Sequence, residues 1–253
     1  ELQLVALNPT IPAALQSNSL QFANPSPPVF VSAIDGGLDL VAVGSTSVIA
    51  PGVKSFAAVA RKEVGVKQAS DFHGKRVGVP GLNAFLHVVF RKWMTDQGAD
   101  SSQVTFVEVP FPQMADVMRG GSIDAIIGSE PIVGRIVASG AGEIITHMDD
   151  LAHELPTAFL ATTRAFADAN PDVVRAFQAG TAKGVDFVTN NLEKGQEYVA
   201  KYTKLDIEAI KAVPFPRLRA SATVDDVANW IELMKAQDMI RTEIDPAKYV
   251  FTG

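Results

Sequence analysis

The chain has 253 residues, of which 47% are hydrophobic and 20% are charged, so it can bury one large core or two smaller ones. The net charge of −6 and the lack of any basic tract longer than two residues argue against nucleic acid as a partner. The absence of cysteine excludes disulfides, thiolate metal sites and cysteine nucleophiles. No apolar run approaches the ~18 residues that a membrane-spanning helix needs.

Short apolar, β-branched runs alternate with helical patterns along the first two thirds of the chain. The predicted strands are Leu2–Ala6, Leu20–Ala23, Leu40–Val43, Phe56–Ala60, Arg76–Val79, Val104–Val109, Ala125–Ile127, Ile144–Thr146 and Ala158–Thr162. The predicted helices are Ile11–Ser17, Pro27–Asp35, Ala84–Gln97, Gln113–Arg119, Pro131–Ser139, Pro171–Asn190, Leu192–Tyr202, Ile207–Lys211 and Val224–Gln237. This alternation predicts βαβ units and an α/β fold with a largely parallel sheet, followed by a helical C-terminal part.

Two extended segments, Phe56–Arg61 and Ala158–Thr163, each join regions of different character. We interpret them as paired crossovers between two lobes, since two crossings allow a hinge to close around a ligand. The predicted first lobe comprises residues 1–64 and 156–253. The predicted second lobe, residues 65–155, is a compact five-stranded α/β unit.

The run Gly120–Pro131 contains Asp124-Ala125 and Glu130-Pro131. It resembles the G-x-x-D-A-…-E-P signature of substrate-binding proteins of ABC importers for nitrate, sulfonates, taurine and related small molecules. Further segments that match this family in the same order are Ala13–Leu20 (A-L-x-S-G-x-L-D), Ser70–Val79 (D-L-K-G-K-x-V-A-V), Asp100–Val104 (x-x-D-V) and Ala165–Pro171 (F-x-x-x-x-P-E). Each motif is short, but five in the correct order span nearly the whole chain.

The resemblance implies a two-lobed, periplasmic-binding-protein-like fold of type 2. It implies a periplasmic protein that holds a small, anionic organic ligand between the lobes and delivers it to the permease of an ABC importer. The protein is expected to be a monomer that needs no cofactor or metal and catalyses no reaction. Family members usually begin with a strand and helix carrying G-x-F-x-x-x-G-L. That opening is absent before Leu2, so the first lobe is expected to lack its first unit.

In the expected first lobe, two loops that follow strands carry polar side chains. Asn24 and Ser26 lie between a predicted strand and a helix, and they can either cap that helix or bind the ligand. Ser45 and Thr46, which precede Ser47, offer hydroxyl groups that can donate to an oxyanion without adding charge. The alternative for these hydroxyls is a solvated loop.

In the expected second lobe, the loop Gly81-Leu82-Asn83 follows a strand and opens a long helix, where free N–H groups and the helix dipole favour an anion. Asn83 can instead cap the helix. Ser129 and Glu130 occupy the corresponding position after a later strand, where Glu130 can complement the helix dipole or bind a cationic or hydroxyl group. Phe111 can form an apolar wall of the site or pack in the core.

The histidines do not show the spacing of a metal site. His147 and His153 are six residues apart, whereas ligands on one helix would be three or four apart. His87 lies in an apolar helical stretch that is typical of a core histidine, and His73 lies in a turn. The adjacent pairs Asp149-Asp150 and Asp225-Asp226 are interpreted as helix caps or solvent-facing groups rather than a catalytic pair.

Two other functions share this fold type. One is a protein that binds the thiamin pyrimidine precursor, or the related synthase, but such enzymes carry a cysteine-rich segment. The other is the effector-sensing half of a LysR-type regulator, which would carry an N-terminal helix-turn-helix. Among ligands, the phenylalanines favour an organic molecule over nitrate, and cation recognition by Glu130 would favour a zwitterion or a pyrimidine precursor.

Overall fold

The computed structural model describes residues 2–3, 5, 7–149 and 154–253. The helices are α1 Ile11–Gln16, α2 Pro27–Asp35, α3 Phe85–Asp96, α4 Met114–Arg119, α5 Ile132–Ala138, α6 Arg164–Ala169, α7 Pro171–Asn190, α8 Leu192–Thr203, α9 Ile207–Lys211 and α10 Val224–Lys235. The strands are β1 Leu40–Ser45, β2 Ser47–Val48, β3 Phe56–Ala60, β4 Arg76–Val79, β5 Thr105–Glu108, β6 Ala125–Ser129, β7 Glu143–His147, β8 Phe159–Thr163 and β9 Arg217–Leu218.

The chain divides into two compact units. Unit 1 comprises Glu1–Ile49, Glu154–Leu192 and Arg217–Gly253, and unit 2 comprises Ala50–His153 and Glu193–Pro216. Unit 2 therefore also takes in residues 50–64 and 193–216, which the predicted lobe boundaries assign to the first lobe.

Unit 2 contains a five-stranded sheet in the order β5-β4-β6-β3-β7. Strand β4 pairs in parallel with β5 and β6, whereas β3 is antiparallel to both β6 and β7. The prediction of a largely parallel sheet is corrected at this strand and in unit 1, where both strand pairs are antiparallel. The fifth strand of the sheet, β3, comes from before residue 65 and is the segment that we interpreted as a crossover. Most of its apolar residues are fully buried, as expected for a strand inside a sheet that is covered on both faces.

The helices of unit 2 cover this sheet with apolar side chains. A cluster that includes Val59, Met118, Ile126 and Ile136 packs α4 and α5 against it. Helix α3 contributes Phe90 and Trp93, whose rings contact Phe72 at centroid distances of 5.0 and 5.9 Å. Burial of these large rings holds α3 in place and thereby the loop that precedes it.

Unit 1 is built around the antiparallel pair β1–β8 and the short pair β2–β9. The β1–β8 register shifts between Ala42 and Gly44, which leaves a bulge in β1. Phe30 of α2 and Phe159 of β8 are both fully buried, with ring centroids 5.2 Å apart. Helix α10 begins with a capping box, in which Thr223 and Asp226 each accept the other's backbone N–H.

Two predicted strands are wrong. Among the described residues of Leu2–Ala6, Leu2, Gln3 and Val5 are not in a strand; Leu4 and Ala6 lie outside the described part of the chain. Leu2 is 86% exposed, so its apolar character is not used for packing. In Leu20–Ala23, only a single bridge from Ala23 to Ala161 forms. Apolar runs this short do not by themselves provide a strand partner.

Candidate functional site

One edge of the unit 2 sheet gathers the loops predicted to bind. The parallel strands β5, β4 and β6 are neighbours, so their carboxyl ends lie along the same edge. Phe111 follows β5, the Gly81–Asn83 loop follows β4, and Glu130 follows β6. In open α/β sheets this edge is where ligands bind. We call it the carboxyl edge of unit 2.

The Gly81–Asn83 loop is held by hydrogen bonds from its own backbone. The Leu82 N–H donates to Glu108 Oε2 at 3.2 Å, and the Asn83 N–H donates to His87 Nδ1 at 2.8 Å. The Ala84 N–H donates to the Gly81 carbonyl at 3.3 Å. Asn83 has a φ of 57°, a left-handed conformation that asparagine tolerates. Three N–H groups near the helix start are therefore already used within the chain.

His87, which the sequence predicts to be a core histidine, contacts the Gly81–Asn83 loop. Its Nδ1 accepts from Asn83, which puts the proton of the neutral ring on Nε2. Its ring packs edge-on against Phe106 at 4.2 Å, and its Nε2 has no hydrogen-bond partner in the described part of the chain. Burial, and secondarily the charge of Arg91, lowers the pKa of His87 to about 4. The imidazole is therefore a neutral acceptor at pH 7.

Ser129 and Glu130 lie where β6 ends. Ser129 is half-buried and pairs with Phe56 of β3. The half-buried Glu130 accepts the Gly134 N–H through Oε2 at 2.9 Å, so it serves the first turn of α5. Burial raises the pKa of the Glu130 carboxyl, while that hydrogen bond and the charge of His147 oppose the rise. Glu130 therefore has the structural role at the helix start that was one of its predicted roles, and within the described residues its carboxyl makes this one hydrogen bond.

Asp149 is a buried carboxylate at the same edge that sequence reasoning did not select for the site. Its Oδ1 accepts the Ser55 N–H at 2.7 Å and its Oδ2 accepts the Phe56 N–H at 3.3 Å, just where β3 begins. Burial raises the pKa of the Asp149 carboxyl, while these two hydrogen bonds oppose the rise. Asp150 and His153, which the sequence grouped with it, lie outside the described residues. The bonds made by Asp149 fix the start of β3 rather than leave a free acceptor.

Phe111 is half-buried and packs against the apolar cluster between the sheet, α4 and α5. It therefore has the packing role that was one of its two predicted roles. Phe56 and Phe85, also at this edge, meet edge to face at 4.9 Å. The carboxyl edge of unit 2 thus combines aromatic surface with a few fixed polar groups, as small-molecule sites do.

In unit 1, the first predicted loop precedes α2. Ser26 is buried and its backbone N–H donates to Asn8 Oδ1 at 2.8 Å, while the exposed Asn24 accepts from Asn8 Nδ2 through its carbonyl at 3.4 Å. Neither Ser26 nor Asn24 caps α2 through its side chain. The predicted alternative, in which these side chains cap α2, is therefore wrong.

The second predicted loop of unit 1 follows β1. Ser45 is fully buried, and its hydroxyl donates to the Ala158 carbonyl at 3.1 Å. Thr46 is half-buried, and its carbonyl accepts the Arg219 N–H at 3.2 Å. The Arg219 guanidinium lies 2.7 Å from Asp226 without hydrogen-bond alignment, so it is an ion pair rather than a directed bond. Sequence reasoning missed Arg219 because 173 residues separate it from Thr46.

A separate surface cavity in unit 1, of about 420 Å³, is lined by none of the predicted residues; its lining is Asp39, Arg164, Ala247, Lys248, Tyr249, Val250 and Thr252. Arg164 there already pairs with Asp39 at 3.0 Å. Across residues 7–149 and 154–253, no group of three or more His, Asp or Glu side chains is arranged to hold a metal ion. None of the helices in the described chain has both the length and the apolar character that crossing a bilayer requires.

Residues 1–194 match the family described as NMT1/THI5 like. The chain belongs to this family. Among curated relatives, the "Putative binding protein BAB2_1146" of Brucella abortus (strain 2308) is 26% identical over 197 residues. The match covers 76% of this chain and 58% of that protein, so the NMT1/THI5-like chain spans less than two thirds of the relative's length.

Solved structures share the fold of this NMT1/THI5-like chain at low sequence identity. The alkanesulfonate-binding protein SsuA from Xanthomonas axonopodis pv. citri, bound to MOPS, has a TM-score of 0.84 and 15% identity, covering 98% of this chain and 86% of its own. The periplasmic nitrate-binding protein NrtA from Synechocystis PCC 6803 has a TM-score of 0.76 and 13% identity, covering 96% and 74%. The predicted α/β fold of the periplasmic-binding-protein type is confirmed.

Proposed function

We propose that this NMT1/THI5-like chain is a periplasmic solute-binding protein. It captures a small, anionic organic ligand of the sulfonate, taurine or carboxylate kind and delivers it to the permease of an ABC importer. The observation that carries the proposal is the carboxyl edge of unit 2, where Gly81–Asn83, Phe111 and Ser129–Glu130 follow three neighbouring parallel strands. Strand ends of this kind are the usual ligand position in open α/β sheets.

Two further observations support this reading. The solved neighbours with the same fold are named for alkanesulfonate and nitrate binding. In unit 1, the loop at Ser45 and Thr46 is held in place by the Arg219 backbone N–H, which donates to the Thr46 carbonyl. The contribution of Asn24, Ser26, Ser45 and Thr46 to ligand binding is part of the proposal. We do not favour the thiamin-pyrimidine synthase, because such enzymes carry a cysteine-rich segment and this chain has no cysteine. The pyrimidine precursors in the ligand panel below test the binding-protein form of that alternative.

We also propose that the protein acts as a monomer and catalyses no reaction. Its task is then reversible capture, and a bound ligand should be recovered unchanged. Native mass spectrometry of the saturated protein, followed by analysis of the released ligand after prolonged incubation, tests both points. A dimer at micromolar concentration would contradict the first point, and a chemically altered ligand would contradict the second.

The main experiment is thermal unfolding against a panel of ligands: nitrate, alkyl and aryl sulfonates, taurine, aromatic carboxylates and pyrimidine precursors. A ligand at about 100 times its Kd stabilises the native state by about 2.7 kcal/mol, which raises Tm by roughly 5–10 °C for a chain of this size. A shift with sulfonates, taurine or carboxylates supports the proposal. A shift confined to pyrimidine precursors, or none in ligand-free protein, contradicts it.

A matched pair of variants locates the site. Leu82 at the carboxyl edge of unit 2 and Leu192 at the start of α8 are 41% and 47% exposed. Leu82→Asp adds a negative charge at the proposed site and should remove the ligand-induced rise in Tm for an anionic ligand. Leu192→Asp adds the same charge in unit 1, at a residue that is not among the proposed binding residues, and should leave that rise intact. If both variants lost the ligand-induced rise in Tm equally, the cause would be the change in net charge and not a binding site at this edge.

A further inference from the structure

Two of the three backbone N–H groups of the Gly81–Asn83 loop are already bound to side chains of the protein. Its Leu82 and Asn83 N–H groups bind Glu108 Oε2 and His87 Nδ1, and the next N–H, on Ala84, binds the Gly81 carbonyl. An anionic ligand group could use the first two donors only by displacing a side chain of the protein. The Leu82 and Asn83 N–H groups are therefore poor donors for an anion in this arrangement.

The local charge points the same way. The Glu108 carboxylate lies 3.2 Å from the Leu82 nitrogen, so a second anion at this loop would face like charge at short range. A sulfonate or carboxylate would gain little there and would lose hydration. The anionic part of a ligand is better placed away from this loop.

What the loop does present is an apolar side chain on a fixed backbone. Leu82 is 41% exposed and the adjacent Asn83 is also exposed, whereas Gly81 and Ala84, which flank the two, are buried. Asn83 holds the left-handed turn beside it, and His87, only 6% exposed, is locked behind the turn by Phe106. An exposed leucine held by two side-chain acceptors is pre-organised for contact with an apolar surface.

We propose that Leu82 contacts the apolar part of the ligand, and that Glu108 and His87 are positioning residues that hold the Gly81–Asn83 loop for this contact. The inference rests on the proposed function and names the ligand class more closely: an anion with an alkyl or aryl portion. Glu108 and His87 act through the loop and do not touch the ligand.

The test is calorimetric titration of the whole protein with linear alkanesulfonates from methanesulfonate to octanesulfonate. For the wild type, each methylene that reaches Leu82 should tighten Kd about fourfold. In Leu82→Ala, the ratio of octanesulfonate to methanesulfonate affinity should fall roughly tenfold, because apolar contact area is lost. The control Leu192→Ala, which shortens a leucine of similar exposure, should keep the wild-type ratio.

The positioning residues are tested by pairs that differ in hydrogen-bonding capacity. His87→Asn and Glu108→Gln keep an acceptor for the loop N–H and should retain the chain-length dependence. His87→Phe and Glu108→Ala remove the acceptor and should weaken that dependence, even at a temperature or osmolyte concentration at which each variant is fully folded. A merely structural role would lower Tm in all four without separating the conservative variants from the others in chain-length dependence.

The outcomes separate the two proposals. If the wild type binds sulfonates but Leu82→Ala weakens methanesulfonate and octanesulfonate equally, Leu82 is not an apolar contact and this inference is overturned while the proposed function stands. If the wild type binds sulfonates without any chain-length dependence, the inference is likewise overturned. If the wild type binds no member of the sulfonate and carboxylate series, both proposals fail.

Discussion

His87 links a buried side chain to the pH dependence of stability. Burial lowers its pKa from 6.5 to about 4, so the native ring stays neutral where the unfolded ring takes up a proton. Stability is then fully present above pH 6.5 and falls as pH drops from 6.5 towards 4, with a total loss of about 3 kcal/mol for a shift of this size. Below about pH 4 both states are protonated and this loss stops growing.

We expect His87→Asn to remove this pH dependence. Asparagine retains an oxygen that can accept the Asn83 N–H but does not titrate. Urea unfolding of both proteins at pH 7.5, 5.5 and 4.5 measures the effect, as the difference in unfolding free energy between variant and wild type. A difference that is the same at all three pH values would show that His87 does not titrate as its burial indicates.

At the scale of the element, two glycines in unit 1 differ in whether a side chain would fit. Gly44 lies at the bulge of β1, where an added Cβ would come within 2.7 Å of the Ala220 carbonyl oxygen, a backbone atom that cannot rotate away. Gly180 lies inside α7, where an added Cβ would meet nothing within 4 Å. The same substitution should therefore have opposite signs in the strand and in the helix.

We expect Gly44→Ala to lower the free energy of unfolding by about 1–3 kcal/mol through overpacking. Gly180→Ala should raise it by about 0.5–1 kcal/mol, because alanine loses less backbone entropy in a helix. Chemical unfolding of both variants, monitored by circular dichroism, checks the pair. A stabilising Gly44→Ala would mean that the Arg219–Ala220 segment does not pack against β1 as described.

At the scale of the whole chain, unit 1 is assembled from three separated segments. Trp230 of α10 is fully buried, and its Nε1–H donates to the Pro156 carbonyl at 3.1 Å, a contact between residues 74 positions apart. Thr162 of β8 similarly donates to the Gln21 carbonyl at 2.6 Å across 141 positions. Such contacts join the segments of the unit, so removing one should affect the unit as a whole.

We expect Trp230→Ala to lower the free energy of unfolding by about 3–5 kcal/mol, since it leaves a large cavity and an unpaired carbonyl. Trp230→Phe should cost less because most of the volume remains. Val173→Ala on α7 serves as the control, because Val173 is 48% exposed and the change should stay within about 0.5 kcal/mol. Similar losses in Trp230→Ala and Val173→Ala would contradict the central place of Trp230.

Much of the local structure could be read from the sequence because its signals are local. Strands β3 and β4 and helices α2, α7 and α9 begin and end where the apolar runs, prolines and cap residues predicted. Pairing is not local. The antiparallel placement of β3 inside the unit 2 sheet depends on partners 65 or more positions away, and no pattern within Phe56–Ala60 specifies them.

The sequence by itself determined the α/β class, most element positions, the family resemblance and the loops at strand ends. The tertiary structure decided what those loops offer chemically. The sequence predicts free N–H groups in Gly81–Asn83, but in the structure two of them donate to Glu108 and His87. It likewise predicts a free hydroxyl on Ser45, but that hydroxyl donates to the Ala158 carbonyl. The reason is that hydrogen-bond satisfaction depends on which distant groups the fold brings within about 3 Å, which sequence spacing does not encode.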